Sequence, residues 1–261
     1  MIRLLLTKFK NILLLLLIGA MVFTSTITAH SQVNSEFIRF TVIEEPVEVS
    51  TIQARQCEVV IRVGEYQGKA GKRIYVNNTT VSLPDDIPVR NDNDGKGFYV
   101  SEWDINLKEA KAIVSKLQAK GVDARLQVAY SKSEDLNAAA RIANQANPYL
   151  YVSVHHNSYE SNSSGYFSMY NPDNQTSKEL ANRLSNAIQY NGQVPKMADR
   201  ENTGYIGELN NIHGTTVPVL LELGFFSNVS ELERICSDSY VDYVSTQLAN
   251  ELANIMNENY R

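Results

Sequence analysis

The chain has 261 residues, with 24 Lys and Arg against 29 Asp and Glu. Arg3, Lys8 and Lys10 fall in the first 31 positions, which hold no acid, so 21 basic residues face 29 acidic ones over the remainder. That excess of negative charge argues against nucleic acid as a partner, and two distant cysteines, Cys57 and Cys236, without Cys-x-x-Cys spacing exclude a structural zinc cluster.

Residues 1–31 read as a signal peptide: a basic start, an apolar run from Ile12 to Phe23, and small residues at Ala29 and Ser31. The apolar run is short for a membrane span, so cleavage before Gln32 is favoured over a retained anchor. The membrane is then met only through the signal peptide during export, and the protein is placed in the secreted or cell-envelope fraction. Outside the cytoplasm Cys57 and Cys236 could form one long-range disulfide or remain free thiols.

Residues 32–72 read as a β-rich N-terminal extension and linker, and residues 73–261 as the main domain. In that domain "RIYVN" (73–77) is predicted as the first strand. A helix follows from Asp104 to Lys120, with Ala110, Ile113, Val114 and Leu117 on one face, ended by Gly121. "DARLQVAY" is a strand, Asp135 to Ala146 a helix, and "YLYVSVH" and "GYFSMYN" are strands. Thr176 and Glu179 have capping-box spacing and open a helix. "TVPVLLEL" (216–223) is a nearly continuous apolar strand, and a last helix runs from about Asp238 to Asn257. The alternation predicts an α/β fold: a mostly parallel sheet with helices on both faces, preceded by the β-rich extension.

In such sheets the functional site lies beyond the carboxyl ends of the strands. That selects His155 at the end of "YLYVSVH", Glu222 at the end of an otherwise apolar strand, and Glu102 just before the long helix. Neighbours in a strand point to opposite faces, so His155 and His156 cannot both enter one site. His213 reads as a loop histidine near the site. The stretch Arg90 to Glu102 matches a calcium loop poorly and reads as a surface loop.

Three segments, "SEWDINLKEA", "LNAAARIANQANPYLYVSVHHNS" and "VPVLLELGFFSN", together resemble, in order, the zinc-dependent N-acetylmuramoyl-L-alanine amidases of the amidase-3 type. The resemblance implies an exported peptidoglycan hydrolase that cleaves the amide between N-acetylmuramic acid and L-alanine. Glu102 and His155 would be zinc ligands and Glu222 the catalytic acid/base. The family's first strand runs into Asp-x-Gly-His, whose His is the third ligand. Aligned on "IYVNNTT", that His position falls on Thr80, a poor zinc ligand. Asp85, Asp86 or His213 would then be substitute ligands. The alternative is a catalytically degenerate amidase-fold protein that binds peptidoglycan or regulates a partner. The sequence identifies no protein partner.

Overall fold

The computed structural model describes residues 56–69, 72–77, 80–189 and 206–259. The expected signal peptide lies outside the described residues, as does the extension before residue 56.

A five-stranded sheet in the order β5-β1-β6-β8-β7 forms the centre. Its strands are β1 (Val59–Val63), β5 (Ala124–Gln127), β6 (Leu150–Asn157), β7 (Phe167–Tyr170) and β8 (Val217–Phe225). β1 pairs in parallel with β5 and β6, and β6 with β8, while β7 closes the edge antiparallel to β8. This is the mostly parallel α/β architecture predicted from strand–helix alternation.

Period-two alternation distributes the strand side chains between two apolar layers. Val59, Ile61 and Val63 of β1, Val152 and Val154 of β6, and Val219 and Leu221 of β8 belong to the large core. That layer is covered by α1 (Glu102–Ala119), α3 (Gln175–Ala187) and α6 (Asp238–Asn259). On the other face Val60 and Tyr151 pack with Ala140 and Ala143 of α2 (Leu136–Ala146) and with Ile212, beside the short α4 (Gly207–Asn210). A further helix, α5 (Val229–Cys236), follows β8. Cys57 lies in the smaller core and Cys236 in the larger one, both as buried free thiols.

Three readings of the sequence are corrected here. The first strand of the central sheet is β1, not "RIYVN", so the proposed boundary between residues 72 and 73 cuts through the domain. β1 is inserted between β5 and β6, hydrogen-bonded to both. "RIYVN" instead supplies β2 (Arg73–Tyr75), which joins β3 (Arg90–Asp92) and β4 (Gly97–Ser101) in a separate antiparallel sheet, order β2-β4-β3. The stretch from Arg90 to Ser101, expected as a surface loop, is thus the β3–β4 hairpin. Helix α3 is capped by Asn174, whose side chain accepts from the Ser177 N–H at 2.9 Å, rather than by Thr176.

Candidate active site

The carboxyl ends of β1, β6 and β8 meet at one edge of the sheet. β6 carries Tyr151, Ser153 and His155 on one face and Val152, Val154 and His156 on the other. His155 pairs in register with Glu222 of β8, which puts both side chains on the same face. His156 is buried on the opposite face, its Nδ1 2.8 Å from Asn106 Oδ1 of α1, and burial lowers its pKa to about 3.

Glu102 begins α1 and is completely buried. Its Oε1 lies 3.2 Å from His155 Nδ1, and its Oε2 is covered without a well-aligned hydrogen bond. On the other side of the ring, His155 Nε2 is 3.1 Å from Ser153 Oγ and 3.7 Å from Glu208 Oε2. Burial by itself would depress the His155 pKa, but the two flanking carboxylates hold it up at about 10. Burial likewise penalises Glu102, yet the hydrogen-bonded imidazolium and Lys72 hold it down at about 2.

The third group in this cluster is Glu65, two residues after the end of β1. The donor atoms of Glu65, Glu102 and His155 all lie within 4.8 Å of one another, and all three residues are buried. Glu65 adopts φ of 63°, a left-handed conformation unusual for a residue with a Cβ. Gly64 makes the approach possible. A Cβ added there would meet Val154 O at 2.5 Å and the His155 ring at 2.6 Å.

Thr80 is exposed, whereas Glu65, Glu102 and His155 are buried. Asp85 and Asp86 are exposed too, Asp86 pairing with Lys108 at 2.8 Å and Asp85 lining a cleft with Val76, Leu83 and Phe98. His213 is exposed, and its backbone N–H donates to Asn144 Oδ1. The degenerate position and all three substitutes thus lie apart from the group. The strand whose end lies beside His155 is β1. Arg62-Val63-Gly64-Glu65 stands there. The signal available in sequence was the run "VVIRVGE": a β-branched strand, a glycine, then an acid.

Arg62 explains why that strand is hard to recognise. It is only 1% exposed, and its Nε lies 3.4 Å from Glu208 Oε1, which also accepts from Tyr151 OH at 2.6 Å. Burial penalises the Glu208 carboxylate, but Arg62 and His155 hold it at about 2.

Glu222 is half-buried, and its Oε2 is covered without a hydrogen-bond partner among the described residues. Burial pushes its carboxyl up to about 8 against the opposing pull of the His155 imidazolium. Its place at the strand end beside His155 makes it the candidate acid/base of this edge.

A family model described as N-acetylmuramoyl-L-alanine amidase (amidase 3) matches residues 90–254, more than half of the chain. The chain belongs to this amidase family. The matched segment starts after β1. Among curated proteins, YqiI from Bacillus subtilis, itself uncharacterised, is 29% identical over 164 residues, 60% of this chain and 74% of the relative. Among solved structures, an N-acetylmuramoyl-L-alanine amidase from Clostridium difficile 630 matches with TM-score 0.53 at 20% identity, covering 79% of this chain and 100% of that one. The CwlD amidase from Clostridioides difficile, solved with the GerS lipoprotein, matches with TM-score 0.56 at 18% identity, covering 78% of this chain and 100% of that one. These structural likenesses establish the amidase fold.

Proposed function

We propose that the protein is an exported peptidoglycan hydrolase that cleaves the amide between N-acetylmuramic acid and L-alanine. The observation that carries this reading is the convergence of Glu65, Glu102 and His155 on one sheet edge, with Glu222 beside His155 on the neighbouring strand. Two carboxylates and one imidazole within 4.8 Å are donors suited to a divalent cation. Glu65, Glu102 and His155 would hold a zinc ion, which when bound would acidify a water and polarise the amide carbonyl.

The chain's own groups supply the rest. Glu222 takes the proton of the attacking water and returns it to the leaving L-alanine amine, a task suited to a carboxyl whose pKa is about 8. Ser153 and Glu208 hold the far nitrogen of His155, fixing the ring so that Nδ1 faces Glu102. Incubating the mature protein with purified peptidoglycan and zinc should release new L-alanine amino termini; their absence would overturn catalysis. Glu222→Gln should lower the rate by about 10²–10⁴-fold while leaving sedimentation with peptidoglycan unchanged.

We infer that Glu65, which follows a glycine at the end of β1, stands where Asp-x-Gly-His has its histidine, and this favours a second reading, an amidase-fold protein that binds the wall without cutting it. It predicts that the natural protein leaves peptidoglycan uncut, whereas Glu65→His gains stoichiometric zinc and begins to cleave. Cleavage by the natural protein removes this reading.

A further inference from the structure

The cluster of Glu65, Glu102 and His155 already contains a cation supplied by the chain. Lys72 Nζ lies 3.2 Å from Glu102 Oε2 and 3.5 Å from Glu65 Oε1, so a single ammonium bridges the two carboxylates. The backbone fixes this arrangement: the Glu102 N–H donates to the Lys72 carbonyl at 3.0 Å, and the Lys72 N–H donates to the Lys69 carbonyl at 3.2 Å. Lys69 pairs with the other oxygen of Glu65. Glu102 has no exposed side-chain surface, whereas the Lys72 side chain is 30% accessible. The carboxylates are therefore held from within, and the cation has a path to water.

An ammonium and a divalent ion cannot use the same two carboxylates at once. A metal needs oxygens at about 2.0–2.2 Å, which would bring it close to the ammonium with like charge opposing like. A lysine can yield, because its charge sits on a flexible four-carbon stem.

We propose that Lys72 is the resident counter-cation of this site, holding Glu65 and Glu102 in place without metal, and that a divalent cation binds only by displacing it. The proposal rests on the reading of Glu65, Glu102 and His155 as the metal ligands. It makes metal occupancy weak and exchangeable by design of the first coordination sphere. It also makes Lys72, rather than the acid that replaces the family's histidine, the residue that limits loading.

The test is a zinc titration of the mature protein in competition with a chromophoric chelator, on the natural chain and on Lys72→Met and Lys72→Arg. Lys72→Met should bind zinc about tenfold or more tightly, the scale on which groups beside metal ligands act. Lys72→Arg keeps a cation and should gain nothing. A second measurement uses the natural chain alone. Acetic anhydride labelling, read by peptide mass spectrometry, should increase several-fold at Lys72 when zinc is added, against unchanged labelling of exposed Lys120 and Lys132. Equal zinc affinity of the natural chain and Lys72→Met, or Lys72 labelling unmoved by saturating zinc, overturns the proposal and leaves the metal-dependent reading standing. Absence of zinc binding in every variant overturns both.

Discussion

Gly64 sets how closely β1 approaches His155. Its N–H donates to Val154 O at 2.8 Å and its carbonyl accepts from Asn106 Nδ2 at 3.2 Å, leaving no room for a methyl group. Gly64→Ala should cost about 1–3 kcal/mol by overpacking and weaken zinc binding by turning the His155 ring; urea unfolding and chelator competition read the two effects separately. A second residue carries a different load. Glu109 of α1 is fully buried, and neither carboxylate oxygen has a hydrogen-bond partner among the described residues. Burial raises its pKa well above 4.5 despite Lys108 and Lys116. The folded chain then keeps a proton that the unfolded chain releases, so stability from this group is present below pH 4.5 and declines as pH rises above it. Glu109→Leu should stabilise the fold by about 1–3 kcal/mol at pH 8 and by less at pH 5. A gain no larger at pH 8 than at pH 5 contradicts the assignment.

At the scale of elements, β1 decides where the domain begins. A chain starting at residue 73 lacks the strand that joins β5 to β6 and exposes the apolar faces of both. It should be insoluble or fail to unfold cooperatively, whereas a chain starting at residue 56 should show a single sharp transition by circular dichroism. The strands β6 and β8 were legible because their apolar runs are long and each carries a polar residue where the run reaches the sheet edge. β1 was read only as part of a β-rich extension and not as a central strand, because Arg62 interrupts it. Alternation with a charge in the middle describes a half-exposed strand. The partner that makes Arg62 a core residue, Glu208, lies on α4, far along the chain. The four longer helices α1, α2, α3 and α6 were placed within about two residues of the ends given for them, since apolar spacing and caps are local, whereas the short α4 and α5 were not foreseen.

Over the whole molecule, the site's charges are balanced without metal. Glu65 is paired by Lys69 and Lys72, Glu102 by Lys72 and the His155 imidazolium, and Glu208 by Arg62. Chelation should therefore lower the melting temperature of the natural protein by no more than about 2–4 °C, the shift that about 1 kcal/mol produces in a domain of this size. Calorimetry with and without chelator checks this, and a collapse of the fold on chelation would show that metal is structural. No helix among the described residues is long and apolar enough to cross a membrane. Export is proposed together with the substrate.

The sequence alone determined the α/β class, the order of most elements and the nomination of Glu102, His155 and Glu222. Each of those signals is local: an apolar period, a cap, or a charged group at the end of an apolar run. Only the tertiary structure decided that β1 is central, that Glu65 joins Glu102 and His155, and that Lys72 sits between the carboxylates. The physical reason is that a buried charge is defined by its partners. Arg62, Glu65 and Lys72 look like surface residues until Glu208, His155 and Glu102 are brought beside them.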